Sequence, residues 1–172
     1  KPAEDGSLTI LVGGEAGLLD SVRPILDCMG SVVIQCGAAG AGTDMKLFIN
    51  LLLGTLMQSF SEALVLGTSF GLRLEDMLET VRSSAVTCPM FTVKGNAISA
   101  GNFEKNFPVE LIFKDLNLAL AAGAREHVPL PVTEAARDAF NKAMAMGIGE
   151  QDLCAVIKVL EEATGLKVRD KE

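Results

Sequence analysis

Lys46 and Asn50 stand four residues apart in the segment Gly40-Ala-Gly42-Thr-Asp-Met-Lys46-Leu-Phe-Ile-Asn50. In a helix that spacing puts an ammonium and a carboxamide on one face. The face continues through Leu53, Gly54 and Met57, so two polar groups lie on an otherwise apolar stripe. A cation there is costly unless it finds a partner. The residues leave two readings open. Lys46 can snorkel to water from the first helical turn. Alternatively, bound molecules supply the partners. Burial then lowers the amine's pKa, leaving a neutral fraction able to accept a hydroxyl proton. Asn50 would hydrogen-bond a hydroxyl or carboxylate in register.

Lys114 is the second candidate, in Phe107-Pro-Val-Glu-Leu-Ile-Phe-Lys114-Asp115-Leu-Asn-Leu-Ala119. Leu111 lies three residues before it and Leu118 four after, again a charge on an apolar flank. Asp115 can cap or pair locally, and by itself the pattern reads as a surface salt bridge worth under about 1 kcal/mol. The remaining features have plainer readings. Gly13-Gly14 is turn chemistry at a strand end. Gly54 and Gly67 are close helix-packing points, and Glu104-Lys105 and Glu161-Glu162 are solvated faces. Asp152 sits in the first turn of a final helix, favourably placed in its dipole.

These groups need elements to hold them. Ser7–Val12 and Ser31–Gln35 read as strands, with a helix over Glu15–Met29 that Pro24 kinks or splits. Two strands and one helix make a unit too small to fold well alone, with open edges. From Thr43 the pattern is helical throughout. A long helix capped by Thr43 or Asp44 runs to about Gly71, followed by Leu74–Ser84 and a short helix over Phe91–Ile98. Then come a helix from Pro108 to about Glu126 with proline in its first turn, one from Pro131 to near Gly147, and Gln151–Thr164, stopped by Gly165. Lys167–Glu172 is expected to fray. The expected fold is mainly α: residues 1–42 form a βαβ remnant of a Rossmann-type domain, and residues 43–172 an all-helical domain led by a long helix.

Composition narrows the function classes. Lys and Arg number 15 against 22 Asp and Glu, with no basic run. That argues against nucleic acid or an anionic membrane, which reward clustered positive charge. The apolar run Leu47–Met57 is shorter than the roughly 20 residues a bilayer span needs, so a buried helix is expected. Cys28, Cys36, Cys88 and Cys154 lack the short spacings of a zinc or redox motif, and His127 is the lone histidine. They read as small core residues in a reducing, cytoplasmic compartment.

Three separated motifs resemble the β-hydroxyacid dehydrogenase family, which includes 3-hydroxyisobutyrate dehydrogenases and tartronate semialdehyde reductases. Ala3-Glu-Asp-Gly6-Ser-Leu8 followed by Gly13-Gly14 is similar to the stretch after that family's Ser-Gly-Gly loop. Gly40-x-Gly42-x-x-x-Lys46-x-x-x-Asn50 resembles its catalytic helix, and Phe107 through Lys114-Asp115-Leu116 its lysine–aspartate helix. The resemblance implies a dinucleotide-binding domain joined to a helical substrate and dimerisation domain, with NAD or NADP as cofactor. It also implies a small hydroxy acid or semialdehyde as substrate and a homo-oligomer. It assigns Lys46 as general acid/base, Asn50 to substrate, and Lys114 to the cofactor or the substrate beside it. The family often has two consecutive asparagines where this chain has Ile49-Asn50. The sequence carries neither the Ser-Gly-Gly loop nor a glycine-rich phosphate loop. It is therefore expected to be a fragment, inactive in isolation. The rival from another class is a non-catalytic helical module for oligomerisation or partner binding, which has no physical need for a lysine and an asparagine on a buried stripe. An imine-reducing relative is disfavoured by Lys46.

Overall fold

The aliphatic runs near the start of the chain form a parallel strand pair. In the computed structural model, which describes residues 3–169, β1 (Leu8–Gly13) pairs with β2 (Gly30–Gly37). Parallel neighbours need a crossover, and α1 (Ala16–Leu26) supplies it. Pro24 lies inside α1, which ends two residues later instead of reaching Met29. Past Leu26 the Cys28 and Met29 amides bond the carbonyls of Ile25 and Leu26 three residues back, so the helix closes in tighter turns.

The long helix α2 runs Ala41–Ser69, 29 residues, and begins two residues before Thr43. Gly40, at φ +99°, offers its carbonyl to the Thr43 and Asp44 amides. Asp44 therefore lies in the first turn, favourable for the dipole, and is not the cap. The described residues fall into two compact units, one ending at Ile49 and the other starting at Asn50. The division lies inside α2, whereas the sequence placed it between residues 42 and 43.

α2 is longer than the run Leu47–Met57, and by length and composition alone it could cross a membrane, a test that a core helix passes as well. That run stopped at Gln58, but the apolar pattern resumes beyond it. Within the second unit, Asn50, Gly54, Met57, Ser61, Leu64 and Val65 of α2 are buried.

Around this stripe the second unit adds α3 (Leu74–Arg82), α4 (Pro89–Ser99), α5 (Val109–Arg125), α6 (Pro131–Ala145), a 3-10 turn at Leu153–Val156 and α7 (Ile157–Thr164). Met57, Leu64, Val109, Ile112, Leu116, Phe140 and Leu153–Ile157 belong to one core. Pro108 is the residue before α5 and not its first turn. The final helix is likewise displaced: Asp152 precedes the 3-10 turn and accepts the Cys154 amide. Of the cysteines only Cys154 is buried; Cys28 is exposed, Cys36 and Cys88 are partly so, and all four are free thiols. A small side chain is no guarantee of a core position when its element is an edge or a loop.

The segment after α7 is ordered by a side chain the sequence assigned to solvent. Glu161 is buried and accepts the Val168 amide (2.8 Å) and the Lys167 ammonium (3.1 Å), so Val168 packs in the core. The expected fraying at Asp170–Glu172 lies outside the described residues.

Gly54 and Gly67 are close-packing points, as read. A methyl on Gly54 would meet the Leu116 side chain at 2.8 Å, and one on Gly67 would strike Met77. Leu116 is fully buried and has little room to yield. Gly54→Ala should therefore destabilise by about 1–3 kcal/mol through overpacking, despite alanine's better helix propensity. Urea denaturation measures this; an unchanged or higher midpoint would show that α5 can move aside.

Candidate active site

Lys46 occupies the first unit. There the end of β1 and the start of α2 approach backbone to backbone, which only glycines allow. A Cβ on Gly42 would lie 2.7 Å from the Leu11 carbonyl oxygen, and one on Gly13 would crowd the Ala38 carbonyl and the Ala41 and Gly42 amides. The spacing Gly40-x-Gly42 thus has two causes: a left-handed turn at the first glycine and a close approach at the second. The result is an open groove of about 470 Å³ lined by Thr9, Leu11, Gly13, Gly40, Gly42, Thr43 and Lys46.

Lys46 is exposed on this groove, as in the first of the two readings that the sequence left open. The buried part of the stripe begins only at Asn50, where the core of the second unit starts. One helical turn separates a solvated ammonium from a buried amide.

Asn50 is 2% exposed, and its Nδ2 donates to Asp115 Oδ2. The other carboxylate oxygen, Oδ1, receives the Lys114 ammonium at 3.0 Å. Asp115 is thus the shared acceptor of the two candidate residues in the second unit. Buried at 7% exposure, it avoids an uncompensated charge because both oxygens are used. The sequence reading gave it a local role only. Its helix phase carried the missing signal: Ile112, Asp115, Leu116, Ala119 and Gly123 share the buried face of α5. A carboxylate on that face must have a partner on a neighbouring element.

The Lys114 side chain is 58% exposed, between Leu111 and Leu118, which are exposed as well. An ammonium between two leucines suits a ligand that joins an apolar ring to an anionic group. The sequence has no Gly-x-Gly-x-x-Gly, so the phosphate cradle of a dinucleotide is not among these residues.

Comparison with known proteins bears on the same residues. The family model described as "NAD-binding of NADP-dependent 3-hydroxyisobutyrate dehydrogenase" matches residues 40–160, and that described as "NAD binding domain of 6-phosphogluconate dehydrogenase" matches residues 1–37. The chain is 43% identical over 169 residues to 2-(hydroxymethyl)glutarate dehydrogenase of Eubacterium barkeri, covering 98% of this chain and 56% of that protein. It is 39% identical over 161 residues to glyoxylate/succinic semialdehyde reductase 1 of Arabidopsis thaliana, covering 94% and 56%. The solved Mycobacterium tuberculosis 3-hydroxyisobutyrate dehydrogenase with L-serine superposes with a TM-score of 0.84 at 30% identity, covering 92% of this chain and 57% of that one. The chain spans little more than half the length of these relatives.

Proposed function

Since this chain belongs to the β-hydroxyacid dehydrogenase family, whose cofactor is NAD or NADP, we propose that it serves hydride transfer between that cofactor and a small 3-hydroxy acid or its semialdehyde, with Lys46 as general acid/base. The observation that carries this reading is the placement of Lys46 on the glycine-lined groove, one turn before an Asn50 locked by Asp115. The names of the relatives support the substrate class: a hydroxymethyl diacid, glyoxylate and succinic semialdehyde all join an alcohol or aldehyde to a carboxylate.

In the oxidising direction the Lys46 amine, in its neutral form, takes the hydroxyl proton while the carbon bearing that hydroxyl gives up its hydride. In the reducing direction the ammonium returns the proton to the carbonyl oxygen as hydride arrives. The bound nicotinamide supplies or accepts the hydride. Ligands filling the groove replace water around Lys46. Asn50 contributes fixed geometry. One N–H is committed to Asp115, which orients the rest of the carboxamide toward a substrate oxygen. Lys114, neutralised by Asp115 on one side, offers its remaining donors to the cofactor or to the substrate beside it.

The complete protein should reduce small semialdehydes with NADH or NADPH. Asn50→Ala should raise KM on the order of tenfold or more, the loss of a hydrogen bond to a charged group. Steady-state kinetics with glyoxylate, succinic semialdehyde and 3-hydroxyisobutyrate decide it. No turnover with any of them and either cofactor would refute the proposal.

A further inference from the structure

α5 has no side chain capping its amino end; its first amides are taken by a loop from later in the chain. Val109 N–H donates to the Gln151 carbonyl (2.9 Å), Glu110 N–H to that of Gly149 (3.0 Å), and the Leu153 amide returns to the Phe107 carbonyl (2.8 Å). Pro108 and Asp152 complete this as an isolated antiparallel bridge.

One side chain ties the loop down. Asp152 Oδ2 receives the Lys94 ammonium at 2.8 Å and the Phe107 amide at 3.2 Å, while Oδ1 receives the Cys154 amide at 3.1 Å. Lys94 and Asp152 are both buried, at 8% and 3% exposure. For stability alone this is a poor choice, because desolvation offsets much of the attraction and apolar residues could fill the same space. What an ion pair adds is direction: a carboxylate with both oxygens engaged accepts its donors only from fixed angles. Here it fixes α4, the start of α5 and the 3-10 turn in one register.

That register reaches the candidate site. Asp115 lies six residues beyond Val109, about 9 Å along a rigid helix. An axial slip at the amino end of α5 is passed to Asp115 undiminished. Misplacement of about 1 Å in a positioned group can cost roughly 10²-fold in rate.

We propose that Lys94 and Asp152 are a positioning pair which, by locking the loop that caps α5, sets where Asp115 meets Asn50 and how Lys114 is presented. The inference rests on the reading of Asn50 and Lys114 as site residues. Neither Lys94 nor Asp152 touches substrate.

The test uses the complete protein with Asp152→Asn, which keeps the shape and loses the charge, and with the double variant K94M/D152N, which leaves no buried charge unpaired and carries the measurement if the single variant fails to fold. Two quantities are read on folded protein well below each melting temperature. The NMR positions of the Asn50 side-chain amide protons report its bond to Asp115 directly; kcat reports presentation of the site. The amide pair should move toward its position in Asp115→Asn, kcat should fall about tenfold or more, and Lys94→Arg should retain most of both. An Asn50 amide unmoved in the double variant, or a kcat within twofold of wild type while only the melting temperature falls, would make the pair merely structural and overturn the proposal. A wild-type protein without hydride transfer would instead defeat the functional reading, and the amide positions would still decide the question of register.

Discussion

Lys46→Ala in the complete protein is expected to lower kcat by about 10²–10⁴-fold, the range that general acid/base residues contribute. The fold should be untouched. Lys46 is exposed, and the helix start before it is held by backbone bonds to the Ala38 and Gly40 carbonyls that alanine preserves. Melting temperature and cofactor affinity should therefore match wild type while turnover collapses. Lys46→Arg should fail almost as badly, because a guanidinium keeps its proton at any working pH and cannot act as base. Steady-state kinetics beside a thermal melt provide the check. An alanine variant that turns over at a tenth of the wild-type rate or better would remove Lys46 from the mechanism.

The second large effect is on stability. Asp152→Ala should cost about 3–5 kcal/mol, because it strands the Lys94 ammonium in the core and releases the Phe107 and Cys154 amides. The double variant K94M/D152L should lose much less than Asp152→Ala, since nothing charged is left behind. Non-additivity of this sign in urea midpoints would identify the pair as costly to break and inexpensive to replace. Additive losses would contradict it.

The same carboxylate predicts a pH dependence. Burial by itself would raise the Asp152 pKa, but hydrogen bonds from Lys94, Cys154 and Phe107 outweigh it and hold the group below its ordinary value of 3.8. A depressed folded-state pKa means that the stabilisation is fully present above the unfolded value, and is lost as pH falls through the folded value. Stability should thus decline below about pH 4, and Asp152→Asn should flatten that part of the acid limb. The neighbouring Cys154 thiol is pushed up to about 12 by burial and by its contact with Asp152. It is a packing residue, and thiol reagents should leave it unmodified in the folded protein while reaching exposed Cys28.

Much of this protein was legible because its determinants are local. The glycines around residue 40 announce a turn and a helix start whatever else surrounds them. The four-residue spacing of Lys46 and Asn50 needs only helical geometry to share a face. The parallel strand pair followed from two aliphatic runs separated by a helix-length segment. Gly54 and Gly67 marked the points where α2 admits close neighbours. The three motifs carried the family, because they keep their order and spacing along the chain.

Where the reading departed from the structure, a distant partner decided. Periodicity shows that Asp115 faces inward, but not that Asn50 and Lys114 converge on its two oxygens. Asp152 and Glu161 looked like ordinary helix carboxylates until Lys94 and Val168, far along the chain or round a turn, arrived to pair with them. For Lys46 the spacing left both water and a partner open, and the structure places its side chain in water one turn before the buried Asn50. Spacing along a chain determines which side chains share a face. Whether that face meets water, a core or an opposite charge depends on elements whose arrival no local pattern encodes, because the energy of a buried charge is set by its partners and not by its own segment.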